Sequence, residues 1–442
     1  YVFSRKEIIE KAIELPDGEN FELHRPWIDR IKLTCSKCNG IAYREKFVLD
    51  TWHNSGAAPY ASFNDEEYNK IIPATFLTEG IDQTRGWAYT LLILNVILTG
   101  KASSPYDKFL FQGHVLDENG NKMSKSLGNI INGEELLQKN SVDLVRFYLI
   151  WKSSPIDSLH FSYSEMSGRP YQIINTIYNL HTYRIQNSKL DSYKEDEHTI
   201  KWALENNLLL ESDKWILSRL QRTIKKVTTS LEESKYHESA RTIENFVINE
   251  LSHNYVPMTR SEIWEDSEEN IERRRAIYSV LVESLKTICL LMHPIAPYIS
   301  DHLYRNNYAN TENNIILEEW PKINPVFENK ELEDEMETVW KIISISNAAR
   351  MKAKIKRRWP ISEVMIFTPN NKEVKKHVET IQKVLNVKEV KFIEDIKDVP
   401  RSVKISINRK LVGPKFKKDL SEIINSINNI DSEKALEELE KE

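Results

Sequence analysis

The sequence predicts an α/β segment, then an all-α bundle, then a small α/β segment, and three observations carry that order. Between residues 47 and 163 short apolar runs alternate with longer helix-period ones, the mark of a layered fold with parallel strands. From residue 164 to about 360 the apolar residues recur at helical spacing only. From Ile361 to the last residue, 442, strand-like runs return.

Each element follows from local pattern. Residues 1–46 are polar and irregular, with the turn Pro16-Asp17-Gly18 and the pair Cys35-Ser36-Lys37-Cys38 before Asn39-Gly40, and read as a small insert. In the first α/β segment, Ala74 to Leu77 and Phe109 to Val115 are expected as strands, and Gln83 to Leu98 and Val142 to Trp151 as helices. In the bundle Asp213 is expected to cap a helix whose stripe is Ile216, Leu220, Ile224, Val227 and Leu231. Further stripes are Ala240, Ile243, Val247, Leu251; Ile277, Leu281, Leu285, Ile288, Met292; and Leu332, Met336, Val339, Ile343. One-faced helices in series must bury those faces against one another. Pro294 and Pro297 within His293 to Tyr298 stop one helix and start the next. In the last segment, strands are expected at Val364 to Phe367, Val387 to Ile393 and Val403, Ile405, Ile407, with a helix over Glu373 to Leu385.

Bulk properties narrow the function classes. A chain of 442 residues exceeds one core and suggests about three domains. Its longest apolar run, Leu91 to Leu98, is broken by Asn95 and too short for a bilayer, so no membrane segment is expected. A net charge of −5 rules out a uniformly basic coat, and any RNA contact must come from local patches. Three cysteines, Cys289 among them in an apolar helical stretch, give no disulfide framework; a reducing compartment, the cytoplasm, is expected. The sequence opens on Tyr1 without a signal pattern and is expected to be a fragment.

Three strings carry chemistry. Lys122-Met123-Ser124-Lys125-Ser126-Leu127-Gly128-Asn129 follows a strand and the turn Asp117-Glu118-Asn119-Gly120. It places two ammonium groups and two hydroxyls at the sheet edge where open α/β folds bind ligands. Such donors suit a triphosphate whose charge grows as its α-phosphorus is attacked; a solvated lysine turn is the simpler alternative. Thr78-Glu79-Gly80-Ile81-Asp82-Gln83-Thr84-Arg85-Gly86-Trp87 lies where a strand meets a helix. Its acceptors can hold a ribose and an α-amino group, and Asp82 or Thr84 can also cap the helix. Asp50-Thr51-Trp52-His53-Asn54-Ser55-Gly56 supplies a second tryptophan.

The first string resembles the KMSKS loop of class I aminoacyl-tRNA synthetases, and the second resembles the segment of that family's isoleucine branch. The resemblance implies the second half of a Rossmann-like catalytic domain (47–163), a helical anticodon-binding domain (164–360) and a small α/β C-terminal domain (361–442), after a connective insert (1–46). It implies ATP with Mg2+, L-isoleucine and tRNA(Ile) as partners of an isoleucine–tRNA ligase, a monomer. Lys122 and Lys125 would be catalytic, on the pyrophosphate leaving group, with Ser124 and Ser126 completing the ATP contacts. Trp52, Glu79, Gly80, Asp82, Gln83 and Trp87 would bind the aminoacyl-adenylate, the two tryptophans forming a slot for a branched aliphatic chain. His53 stands where the family often has Phe. Burial separates isoleucine from valine by only about 1–3 kcal/mol, so an editing site is expected elsewhere, as is the family's HIGH motif. Cys35 and Cys38 resemble half of a structural zinc knuckle, with Cys289, His24 and His53 as further candidates; two reduced surface cysteines fit the residues equally. Arg350, Lys352, Lys354, Lys356, Arg357 and Arg358 form a run without acids that would grip tRNA phosphates or simply face solvent. Alternatives are a tRNA-binding chain without catalysis and a valine or leucine synthetase.

Overall fold

The computed structural model describes residues 2, 4–47, 50–265, 267–308, 314–394, 416 and 419–428, so the expected strand through Val403, Ile405 and Ile407 lies outside the described residues. Two compact units emerge: Tyr1–Leu136 with Lys152–Tyr163 and Ser234–His237, and Leu137–Trp151 with Ser164–Glu233 and Glu238–Glu442. No helix among the described residues is long and apolar enough to cross a membrane.

In the first unit, α1 (Arg5–Lys11) is capped by Ser4 and leads into an antiparallel meander of β1 (Ala12–Glu14), β2 (Lys32–Thr34) and β3 (Ile41–Tyr43). Helices α2 (Thr51–Ser62), α3 (Asp65–Ile71) and α4 (Trp87–Thr99) follow. A Cβ on Gly56 of α2 would stand 2.8 Å from the Thr90 carbonyl carbon of α4, so only glycine lets these helices touch backbone to backbone. The polar break in the apolar run has a structural cause: buried Asn95 accepts the Tyr60 and Tyr68 hydroxyls, each at 2.6 Å, and donates to the Ser103 carbonyl at 2.8 Å. Strand β4 (Leu77–Gly80) pairs in parallel with β5 (Phe109–Gln112), and β6 (Val115–Leu116) with β7 (Leu159–His160).

The parallel pairing matches the alternating pattern, while the strand limits move. Ala74 makes one isolated bridge to Tyr106, and continuous pairing begins only at Leu77. The expected strand over 109–115 is cut at Gly113, where a Cβ would stand 2.2 Å from the Asp157 carbonyl oxygen. The helix expected from Gln83 starts at Trp87, after a 3-10 turn over Ile81–Arg85.

Helices α5 (Gly133–Lys139), α6 (Val142–Lys152) and α7 (Tyr163–Met166) come next in sequence. The bundle comprises α8 (Arg169–Leu190), α9 (Ile200–Glu205), α10 (Glu211–Glu232), α11 (Tyr236–Glu244), α12 (Val256–Ile263), α13 (Ile271–Met292), α14 (Pro297–Asn307) and α15 (Lys330–Lys352). The four stripes form its core: Ile216, Leu220, Val227, Ile243, Val247, Leu251, Ile277, Leu281, Leu285, Met336 and Val339 are all buried together. The second stripe is not α-helical throughout, since Asn245–Tyr255 winds as a π-helix. Asp213 is the third residue of α10 rather than its cap: it accepts the Leu210 N–H at 2.7 Å, the Tyr255 hydroxyl at 2.6 Å and an ion pair from Arg273 at 2.7 Å. Pro297 opens α14 as expected.

Strands β8 (Ile361–Ile366) and β9 (Val387–Phe392) are parallel, around α16 (Asn371–Lys375) and α17 (Val378–Leu385). The single helix expected there is broken at Lys376-His377, both of which turn to Glu335 of α15; His377 Nε2 lies 3.0 Å from Glu335 Oε2. Arg350 is not a phosphate contact. It is buried, and its guanidinium donates to the carbonyls of Leu385, Lys356, Arg357 and Trp359, which fixes the turn after α15. The other five basic residues of that run are exposed.

Candidate active site

Strand β4 ends at Gly80, and the chain must turn sharply into α4. Gly80 permits this because a Cβ there would lie 2.7 Å from Asp82 Oδ1. Asp82 Oδ2 accepts Gln83 Nε2 at 2.9 Å, which aims Gln83 Oε1 at the Trp87 N–H, 3.2 Å away. Gln83 is therefore the side chain that caps α4, in place of Asp82 or Thr84; the Thr84 hydroxyl instead donates to the Ile81 carbonyl at 3.2 Å. Glu79 and Asp82 are exposed, and Gly80, Gln83 and Trp87 are half-buried.

Gly86 is the point where the expected residues converge. A Cβ on it would meet Gln83 Oε1 at 2.4 Å and Trp52 Cε2 at 3.5 Å, so the Trp52 ring and the Gln83 amide both lie on this glycine. Trp52 is set in the first turn of α2 by Asp50, whose carboxylate accepts its N–H at 2.6 Å, and its side chain stays 40% exposed. The Trp87 ring is turned by its own N–H, which donates to the Ser55 carbonyl at 3.0 Å, and it packs edge-on to Phe109 with centroids 6.1 Å apart. One tryptophan is thus open and the other anchored. His53 is exposed on α2.

The lysine loop follows β6 and is held by two side chains that motif reading passed over. Asp117 accepts the N–H groups of Asn119 at 3.0 Å and Asn121 at 2.7 Å. Asn129 donates to Asp117 Oδ2 at 2.9 Å and to the Lys122 carbonyl at 3.3 Å, while its Oδ1 accepts the Ser124 N–H at 2.9 Å. The Asn129 amide, then the Asn121 N–H, hold the Asp117 carboxyl below its ordinary range. Ser124 caps a 3-10 turn over Lys125–Leu127, with its hydroxyl 3.1 Å from that of Ser126, and Gly128 closes the turn at φ +66°. Lys122, Lys125 and Ser126 are exposed around this turn, so the loop presents cations and hydroxyls outward on a tied frame. The signal for Asn129 lay in the string itself, three residues past its last serine.

Cys35 and Cys38 lie in a tight turn, in which the Cys35 N–H donates to Gly40 at 2.8 Å and the Asn39 N–H to Cys35 at 2.9 Å. The N–H groups of Lys37 and then Cys38 hold the Cys35 thiol below its ordinary range. Two ligands are half of a tetrahedral set, and among the described residues no group of three or more His, Cys, Asp or Glu comes together. Cys289, the further candidate, is buried in the bundle with its sulfur 3.7 Å from His181 Nε2, and burial pushes its thiol up to about 12.

Known proteins resemble this chain over most of its length. Residues 2–162 match the family described as tRNA synthetases class I (I, L, M and V), and residues 213–366 match the anticodon-binding domain of tRNA ligase. The isoleucine–tRNA ligase of Methanopyrus kandleri is 30% identical over 96% of this chain and 40% of its own length. That of Clostridium novyi is 33% identical over 97% of this chain and 41% of its own. A crystal structure of the ternary complex of Agrobacterium radiobacter K84 LeuRS, tRNA and LeuAMS has a similar fold, with a TM-score of 0.55 at 24% identity over 69% of this chain and 36% of that one. An α/β unit carrying a tied lysine loop, followed in sequence by a one-faced bundle, defines the class. The chain belongs to the class I tRNA synthetases of the isoleucine, leucine, methionine and valine group, and it spans about 40% of the length of the curated relatives it matches.

Proposed function

We propose that this chain is part of an isoleucine–tRNA ligase that activates L-isoleucine with ATP and Mg2+ and transfers it to tRNA(Ile). The observation that supports isoleucine is the similarity of 96% or more of the chain to curated isoleucine–tRNA ligases of both Methanopyrus kandleri and Clostridium novyi. In activation, an isoleucine carboxylate oxygen attacks the α-phosphorus of ATP, the bond to the β-phosphate breaks, and pyrophosphate leaves. In transfer, a ribose hydroxyl at the tRNA 3′ end attacks the adenylate carbonyl and AMP leaves.

Charge builds on the pyrophosphate oxygens in the first step. Lys125 and Lys122 stabilise it, with Ser124 and Ser126 as hydrogen-bond donors, and a loop tied beforehand by Asn129 spends little on ordering at that moment. Glu79, Asp82 and Gln83 accept from the adenylate's amino and hydroxyl groups. Gly80 lets the backbone approach closely, and the open face of Trp52 with the anchored Trp87 receives the aliphatic side chain, at about 0.8 kcal/mol per buried methylene. Cys35 and Cys38 supply two of the four ligands of a structural zinc. The enzyme works as a cytoplasmic monomer.

The test is charging of tRNA(Ile) with labelled isoleucine by a polypeptide joining this chain to the family's ATP-binding half. Isoleucyl-tRNA that disappears on Lys125→Ala is the expected result; charging unaffected by that change removes the loop from the mechanism.

A further inference from the structure

The turn over residues 117–121 joins β6 to the lysine loop, and Leu116 bridges Lys122 across it in antiparallel fashion, so the first loop lysine leaves directly from this turn. Asp117 and Asn129 give the turn its shape, but bonds within a turn do not fix where the turn stands. Its place comes from β7. The Leu159 N–H donates to the His114 carbonyl at 2.8 Å and the Phe161 N–H to the Leu116 carbonyl at 3.0 Å, so the β6–β7 ladder runs up to the foot of the turn. Leu159, Phe161 and Ser162 are buried, which makes this end of β7 a fixed platform.

Two side chains of the platform reach the turn. The hydroxyl of buried Ser162 donates to Oε1 of exposed Glu118 at 2.5 Å. A hydroxyl-to-carboxylate bond is charge-assisted and directional. The His160 ring lies against Gly120, where a Cβ would stand 2.9 Å from His160 Cε1, and Gly120 takes φ +82°, a conformation that favours glycine. The turn is thus pinned at Glu118 and backed by an imidazole at Gly120. It cannot pivot about β6 without breaking the first contact or meeting the second.

We propose that Ser162, with His160 behind it, is a positioning residue for adenylation: its bond to Glu118 sets the turn from which Lys122 reaches the pyrophosphate. Ser162 acts through Lys122 and not on the substrate. The proposal rests on the role given above to the lysine loop, and it adds the residue that places that loop on the sheet. Displacing a reacting group by about 1 Å can cost about a hundredfold in rate, so the loss of one of two supports should cost about tenfold.

The test is ATP–pyrophosphate exchange with isoleucine by the polypeptide that joins this chain to the family's ATP-binding half. Parent, Ser162→Ala, Lys122→Ala and the double variant are compared, with thermal unfolding measured alongside. Ser162→Ala should lower kcat by about tenfold in the parent and leave KM for isoleucine within about twofold. In the Lys122→Ala background it should cost less than about twofold, because residues that act through one another are not additive. A merely structural role would lower the unfolding temperature and take the same factor from both backgrounds. Glu118 is exposed, so Glu118→Ala carries the same comparison should Ser162→Ala not fold, and it should match Ser162→Ala. Glu118→Gln keeps an acceptor for the hydroxyl and should retain kcat within about twofold. Equal losses with and without Lys122, or parent-like kcat in both Ser162→Ala and Glu118→Ala, would overturn the proposal and leave the lysine loop in its role. If Lys122→Ala and Lys125→Ala both exchange as the parent does, the role of the loop falls and the proposal falls with it.

Discussion

Asn129 donates its side-chain amide to Asp117 Oδ2 at 2.9 Å and, through the other end of the same side chain, accepts the Ser124 N–H at 2.9 Å. One residue thereby ties both ends of the lysine loop to the turn that follows β6. The lysines project from this frame instead of from a free segment. Asn129→Ala should therefore cut activity in the reconstituted enzyme by about tenfold to a hundredfold, the cost of imprecise positioning. Unfolding should be little changed, because the loop is exposed. Unchanged isoleucine-dependent kcat would show that the frame does not position the lysines.

The same frame has a pH limit. The folded Asp117 carboxyl lies below its unfolded value of about 3.9, so its contribution is fully present above that value and is lost as pH falls through the lower folded one. Hydrogen exchange at the Asn121 N–H should stay protected at pH 5 and lose protection only below about pH 4. Loss of protection between pH 6 and 7 would mean that another group governs the turn.

Removing a loop cation should act on the transition state. Lys125→Ala is expected to lower kcat by about 10²–10³ with a smaller change in KM for isoleucine, as when one oxyanion donor is deleted. A rise in KM alone would recast Lys125 as a ground-state contact.

Gly86→Ala separates positioning from folding. Its new Cβ meets Gln83 Oε1 at 2.4 Å, the end of a flexible side chain that can move, and that movement breaks the bond to the Trp87 N–H. The expected result is a raised KM for isoleucine with a stability loss of about 1 kcal/mol. Gly56→Ala instead presses on Thr90 backbone at 2.8 Å and should cost about 1–3 kcal/mol in denaturant unfolding. Equal effects of the two substitutions on both readouts would contradict this division.

In the bundle, Glu333 is 7% exposed and accepts the Ser218 hydroxyl at 2.6 Å, Arg219 at 3.0 Å and Arg222 at 3.2 Å. Glu333→Ala leaves a half-buried guanidinium without this partner and should destabilise by about 3–5 kcal/mol in urea unfolding. A loss below 1 kcal/mol would show that Glu250 alone satisfies Arg219.

The bundle was legible because its four stripes are set by helical period, and the same residues form the core. Period does not report hydrogen-bond register, so the π-helix over Asn245–Tyr255 stayed hidden behind spacings of three and four. Asp213 looked like a cap because an acid stood before an apolar stripe; its burial with Arg273 and Tyr255 is a long-range pairing that local sequence does not encode. Arg350 was indistinguishable from its basic neighbours until the carbonyls around it were placed. Around the candidate site, the string from Glu79 to Trp87 and the lysine loop were visible as motifs. The capping by Gln83, the convergence on Gly86 and the tie through Asn129 depend on side-chain geometry across turns.

The most direct test of the central claim is ATP–pyrophosphate exchange by the reconstituted polypeptide with isoleucine, valine and leucine in parallel. Exchange fastest with isoleucine, exceeding valine by about 10–200-fold in kcat/KM and lost in Lys125→Ala, is the predicted result. Exchange supported by valine or leucine but not by isoleucine would contradict it.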